Sequence, residues 1–214
     1  MRKQKENSLS LVLGLGNPGR KYENTRHNVG FLTVDALART LDIQLKKRFL
    51  KPYIVGTSKK GAGSGMYTII KPLTFMNRSG TILPHILNTS IYTVSDIILI
   101  CDNMDLPPGE IRIKRKGSSA GHNGIKSVME YASSGEFTRI YIGVGRPAQG
   151  ISVVDHVLGI PEGDELESML FGVASAAQAL EAILSGADLS KVINEYNRRK
   201  GPDRSGQKES NGSL

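Results

Sequence analysis

The sequence predicts an α/β fold: a single three-layer α/β/α domain over residues 1–200, built on a central mixed, mostly parallel twisted sheet. Three observations carry this. Strand-like and helix-like stretches alternate along the whole chain, some strands are near-continuous apolar runs suited to burial on both faces, and two regions read as hairpins, which makes the sheet mixed. A chain of 214 residues with 39% apolar content is long enough to bury a substantial core.

Leu9–Leu15 is an almost unbroken apolar run and reads as a buried strand. After a polar loop, a helix is expected from about Thr25 to Leu41, with Thr25 as its N-cap and Val34, Leu37, Ala38 and Leu41 on one face. Tyr53–Thr57 and Met66–Lys71 read as strands around a Gly- and Lys-rich connection. A helix from Asn77 toward Leu87 is expected to be kinked or shortened by Pro84. Asp96–Cys101 is a second buried strand, ending in the turn Asp105-Leu106-Pro107-Pro108-Gly109. Ile111 and Ile113 alternate with Arg112 and Lys114, the pattern of a half-exposed strand. A Gly/Ser loop then leads to a helix with Ile125, Val128, Met129 and Ala132 on one face, followed by a strand over Phe137–Val144. Residues 163–185 form the clearest helix, with Leu166, Leu170, Val173, Ala177, Leu180 and Leu184 on one stripe. Gly186 ends it and Asp188 caps a last helix reaching about Arg199. The polar, apolar-poor residues 201–214 predict a disordered tail.

Charge is unevenly spread. Residues 1–60 hold thirteen Lys/Arg against four Asp/Glu, a local +9, whereas residues 147–190 hold seven acids and no Lys/Arg. Residues 111–146 carry seven bases against two acids, including Arg112, Lys114, Arg115 and Lys116 within five positions. Such asymmetry favours a polyanionic partner, nucleic acid first, over a surface that is merely soluble. No run of eighteen apolar residues is present, so a membrane span is not expected. The basic start lacks a signal peptide's apolar region, and the lone Cys101 cannot form an internal disulfide; both point to the cytoplasm.

Gly14-Leu15-Gly16-Asn17-Pro18-Gly19 is a literal G-x-G-x-x-G. A dinucleotide cradle needs a helix directly after that turn and an acidic residue closing a second strand. Here Pro18 and the polar run Arg20–Asn24 delay the helix, and Asp35 falls inside it. Gly14 and Gly16 read instead as turn formers, which leaves open a nucleotide-binding oxidoreductase or transferase only as a minor alternative.

Four segments end strands or open helices with chemistry-bearing residues: Asn17 and His27, Thr74-Phe75-Met76-Asn77, Cys101-Asp102-Asn103, and Gly121-His122-Asn123-Gly124. If their strands are neighbours, Asn17, His27, Asn77, Asp102 and Asn123 converge on one cleft at the carboxyl edge of the sheet. His27 suits a general base, Asp102 can fix its tautomer and stabilise its imidazolium, and the asparagines offer donors to an oxyanion. No serine sits in a nucleophile elbow, and the four histidines lack paired ligand spacing, so neither a covalent nucleophile nor a metal is expected. The set suggests attack by a His-activated water. Each residue also has a plainer reading: His27 as a packing residue, Asn77 and Asn123 as helix caps, Asp102 as a turn cap.

Five motifs in order, GLGNPG at 14–19, TRHNVG at 25–30, KPLTFMN at 71–77, DLPPG at 105–109 and GHNG at 121–124, resemble the bacterial peptidyl-tRNA hydrolase family, with matching spacing over about residues 9–200. The resemblance implies cleavage of the ester between a peptide and the 3′ end of tRNA, recycling the tRNA, without metal or organic cofactor, by a cytoplasmic monomer that uses no membrane. It implies His27 as base and Asp102 as its partner, with Asn17 discriminating blocked from free aminoacyl groups. Tyr22, Phe75, Asn77 and Asn123 would contact the tRNA end or the peptide. Lys114, with Arg112, would grip the acceptor stem. Where some relatives carry a second basic residue this chain has Tyr141, and Arg139, on the same strand face, is expected to substitute in part. The competing reading is a non-catalytic RNA-binding protein of the same fold, whose telltale would be loss of His27, Asp102 or the asparagines; all are present.

Overall fold

The computed structural model describes residues 9–58 and 65–199. The predicted tail at 201–214, most of the connection at 58–65 and the basic amino-terminal residues lie outside the described residues. In chain order the elements are β1 (Leu9–Gly14), α1 (Val29–Thr40), β2 (Lys46–Lys47), β3 (Tyr53–Thr57), β4 (Met66–Pro72), α2 (Leu83–Leu87), β5 (Ile97–Asn103) and β6 (Ile111–Lys114). There follow α3 (Asn123–Ala132), β7 (Thr138–Gly143), α4 (Val153–Leu158), α5 (Gly163–Leu184) and α6 (Leu189–Tyr196).

The strands form one seven-stranded sheet in the order β2-β3-β4-β1-β5-β7-β6. The central four, β4, β1, β5 and β7, run parallel, while β3 and β6 oppose them. The chain leaves β1 for β4 on one side and returns to β5 on the other, so the strand order reverses at β1. That reversal opens a crevice beyond the carboxyl ends of the central strands.

The pleat divides the core. Val12, Ile98, Ile100, Ile140 and Ile142 face α1, α5 and α6, where Val34, Leu37, Val173, Ala176 and Leu180 pack. Leu11, Leu13, Leu99, Cys101 and Tyr141 face the other way, toward Met76, Ile82, Leu83, Ile125 and Val128. Truncating a fully buried leucine such as Leu13 would cost about 2–5 kcal/mol. The three-layer arrangement expected from sequence is therefore present.

Several local expectations change. Thr25 does not cap α1: it precedes a 3-10 turn at Arg26–Asn28, and its hydroxyl donates to Tyr22 O at 2.8 Å. The residue before α1 is Asn28, whose carboxamide is engaged elsewhere. Residues Met76–Ile82 are 3-10 rather than α, and Pro84 sits in the first turn of the short α2, where its missing N–H breaks no helical bond. Leu170 is largely exposed although it falls on the predicted stripe of α5; Met169 and Ala176 fill the core instead. The short β2 and α4 carry too few periodic residues to be read from sequence. Gly14 and Gly16 are not turn formers by conformation; a Cβ on Gly14 would lie 2.5 Å from Gly30 O and one on Gly16 2.6 Å from the Phe31 ring. They let α1 lie close on β1, and φ is positive at Gly19 instead.

Candidate active site

Asp102 lies next to last in β5 and is buried, with Ile142 of β7 opposite it and β1, which ends at Gly14 opposite Ile100, on the other side of β5. Its Oδ1 accepts two imidazoles: His27 Nδ1 at 2.7 Å and His122 Nε2 at 3.0 Å. The rings stand 5.1 Å apart. The second nitrogen of His122 settles its tautomer, because Nδ1 accepts the Gly124 and Ile125 amides at 3.1 and 3.3 Å and caps α3. His122 therefore donates through Nε2–H, and His27 donates through Nδ1–H, which leaves His27 Nε2 as a lone-pair acceptor in the cleft.

Electrostatics reinforce this polarity. Burial disfavours the Asp102 carboxylate, yet the two imidazoles outweigh it and hold its carboxyl well below the usual range. Burial likewise depresses His27, but the charge and hydrogen bond of Asp102 raise its pKa above the ordinary histidine value. The result is an imidazole of increased proton affinity beside a carboxylate that stays ionised.

The turn bearing His27 is anchored through its neighbour. Arg26 Nε and Nη2 donate to Glu165 at 2.5 and 2.6 Å, Nη1 reaches His156 O at 3.2 Å, and the Arg26 amide donates to Gly159 O at 3.1 Å. These bonds tie α4 and the start of α5 to the turn that bears His27.

Asn17 is held with equal care. Its backbone N–H donates to Asn28 Oδ1 at 2.7 Å, its carbonyl accepts from Asn28 Nδ2 at 3.0 Å, and its Oδ1 accepts the Met76 amide at 2.8 Å. With Oδ1 so occupied, Nδ2 is the group Asn17 presents to the cleft. Asn77 and Asn123 are exposed on the cleft wall; neither caps a helix, since Phe75 precedes the first and His122 caps the second. Tyr22 and Phe75 meet edge to face, with centroids 6.4 Å apart. Together these groups line a cleft of ≈ 550 Å³, whose far wall is apolar: Met104, Val153, Val154, Val157 and Leu158.

The structure thus brings together Asn17, Tyr22, His27, Phe75, Asn77, Asp102 and Asn123. The basic residues fare differently. Arg139 is 0% exposed, its guanidinium donating to Ser118 O at 2.9 Å and Gly135 O at 3.3 Å and lying 4.6 Å from the Phe137 ring centroid. It does share a strand face with Tyr141, but β7 is an interior strand and the loop after β6 covers that face. Arg139 is a core residue and offers nothing to a phosphate. Arg115 bonds Ser190 on α6 and Lys116 pairs loosely with Glu136, so the basic cluster splits, leaving Lys114 exposed and Arg112 half-buried on one face of β6.

Sequence reasoning missed His122 as part of the site, Asn28 as the clamp on Asn17, and α4 as a wall. The first two lie within the GHNG and TRHN motifs, whose dense polar residues are the only signal available. Among the described residues, His27, Asp102 and His122 are the only three potential metal ligands found together, within 4.8 Å of one another. Every inward-facing nitrogen of that group carries a proton donated to Asp102, and His122 Nδ1 is engaged by the backbone, so no convergent set of lone pairs remains for an ion.

Residues 11–204 match the family model described as peptidyl-tRNA hydrolase. The chain is 44% identical to the peptidyl-tRNA hydrolase of Bacillus licheniformis over 192 residues, covering 88% of this chain and 98% of that protein. It is 43% identical to that of Bacillus subtilis over 190 residues, with 88% and 98% covered. The crystal structure of peptidyl-tRNA hydrolase from Acinetobacter baumannii superposes with a TM-score of 0.83 at 31% identity, covering 92% of this chain and 99% of that one. With its fold, its cleft and these relatives in agreement, the chain belongs to the peptidyl-tRNA hydrolase family.

Proposed function

We propose that the chain hydrolyses the ester joining a peptide to the 3′ end of tRNA, using a water activated by His27. The observation that carries this is the doubly donated Asp102, which leaves His27 Nε2 as a basic lone pair in the cleft. His27 takes a proton from water as its oxygen attacks the ester carbonyl carbon. The tetrahedral oxyanion is met by carboxamide donors, Asn17 Nδ2 and Asn123. Collapse breaks the bond to the ribose 3′ oxygen, which takes the proton from the imidazolium, giving a free peptide acid and a free tRNA hydroxyl. Asp102 stabilises the transient imidazolium without itself taking a proton.

Asn17 discriminates blocked from free aminoacyl groups, a role supported by its three fixed hydrogen bonds and single unengaged amide. Tyr22, Phe75 and Asn77 hold the terminal nucleotide or the peptide, and the apolar wall accepts side chains of the peptide. Lys114 and Arg112 contact the acceptor stem. The reaction draws on no metal, in keeping with the hydrogen bonds that occupy His27 Nδ1 and both His122 nitrogens and leave only His27 Nε2 open. No helix among the described residues is long and apolar enough to cross a membrane.

The test is release of free tRNA from an N-acetylated aminoacyl-tRNA, with unblocked aminoacyl-tRNA as control. His27→Ala should abolish cleavage while leaving tRNA affinity nearly unchanged. Hydrolysis undiminished in that variant would overturn the mechanism.

A further inference from the structure

The strand β2 and the turn leading into β3 carry Lys46, Lys47, Arg48, Phe49, Leu50 and Lys51, four cations and two large apolar residues with no acid among them. Phe49 is 88% and Leu50 85% exposed, the highest values for large apolar side chains among the described residues. A loose tip would fold such side chains back onto the protein. This one is braced: Arg48 N bonds Tyr53 O and Lys51 N bonds Arg48 O, each at 3.3 Å, with Leu50 in the left-handed region at φ 56°. Lys51 Nζ lies 3.4 Å from His85 Nδ1, and none of the four cations is ion-paired among the described residues.

Register places this tip. β3 is antiparallel to β4 with Tyr53 opposite Pro72, so the tip stands beyond the carboxyl end of β4, on the same sheet edge as the cleft. Pro52 O accepts the Leu73 amide at 2.7 Å, two residues before Phe75 of the cleft wall. A depression of ≈ 770 Å³ runs between Lys47, Phe49, Lys51 and Leu73. Rings continue from there into the cleft that holds His27: Phe75 meets Tyr22 with centroids 6.4 Å apart, and Lys21 Nζ lies 4.8 Å from the Tyr22 centroid. Flat apolar rings interleaved with unpaired cations match RNA, whose phosphates take the charges and whose bases stack on the rings. Cations serving solubility would not require an exposed Phe-Leu pair, and a peptide has no regular charge to meet four bases.

We propose that the β2–β3 tip is a second RNA-docking surface, gripping the tRNA part of the substrate outside the catalytic cleft; this rests on the peptidyl-tRNA reading above. The test uses the full chain, with Lys47→Ala/Arg48→Ala and Phe49→Ser as separate variants. Affinity for deacylated tRNA is measured by fluorescence anisotropy over a salt series, and turnover on N-acetyl-aminoacyl-tRNA and on an N-acetyl-aminoacyl adenosine ester. The double variant should weaken tRNA binding about tenfold at low salt and lower the slope of log Kd against log salt by between about 1 and 2. Phe49→Ser should weaken binding by about tenfold with the slope unchanged. Neither should alter kcat on the adenosine ester, because the His27–Asp102 pair is untouched. Unchanged tRNA affinity in both variants overturns the proposal. So does a KM effect that grows with peptide length while deacylated tRNA binds as before, since it assigns the tip to the peptide. A wild-type chain that binds tRNA through the tip yet cleaves neither ester would sink the hydrolase reading and leave the tip standing.

Discussion

Asp102→Asn removes one charge while keeping the geometry that charge sits in. Both imidazoles bond a single oxygen, Oδ1, at 2.7 and 3.0 Å, and asparagine offers a carbonyl oxygen at that position. His27 therefore keeps its tautomer, and what is lost, under the proposed mechanism, is the attraction between the carboxylate and the imidazolium that would form during water attack. A hydrogen bond between charged groups is worth about 1.5–3 kcal/mol, and the buried site screens little, so about 3 kcal/mol of preferential stabilisation disappears. That is on the order of 10²-fold in kcat. The pH profile has a definite sign. In the proposed mechanism only neutral His27 acts as base, so activity should fall as pH drops through its pKa. Burial lowers that pKa and Asp102 raises it above the ordinary value. Without the charge, burial acts alone, and the acid limb should move to lower pH. The assay is tRNA release from N-acetyl-aminoacyl-tRNA, with kcat and kcat/KM followed across roughly pH 5 to 9. A slow variant whose acid limb has not moved, or one with unchanged kcat, would refute the electrostatic role of Asp102.

Asn28→Ala frees Asn17 by removing two buried hydrogen bonds, and should lower stability by about 2–3 kcal/mol and also reduce kcat/KM; a lowered melting temperature with full activity would show that Asn17 does not need the clamp. Arg139→Ala deletes a guanidinium bonded to Ser118 O and Gly135 O, so its main effect should be on thermal stability, by about 2–4 kcal/mol. A normal melting temperature with a raised KM for tRNA would return Arg139 to the phosphate clamp.

Much of this protein was legible in one dimension. Near-continuous apolar runs marked β1 and β5, the Ile111/Ile113 alternation marked β6, and Asp188 announced α6 by a cap the structure confirms, accepting from Lys191 N at 3.0 Å. The site was legible as well, because Asn17, His27, Asp102 and Asn123 sit at strand ends and helix starts, where side chains escape the core. The 3-10 stretches and Thr25 were misread because capping and helix type depend on competing partners, such as Tyr22 O for the Thr25 hydroxyl and the Asn17 backbone for the Asn28 carboxamide, that local pattern does not specify.

Sequence alone determined the order of elements, the faces of the strands and the residue types that could do chemistry, since those follow from periodicity and from each side chain's own bonding capacity. Tertiary structure decided which of those faces were covered and which groups met. Strand parity put Arg139 on the correct face, but only the loop over β7 buried it. His122 joined His27 on Asp102 only when α3 docked so that one ring could both cap a helix and bond the carboxylate. Burial depth and hydrogen-bond competition are sums over neighbours distant in the chain, and no local pattern carries them.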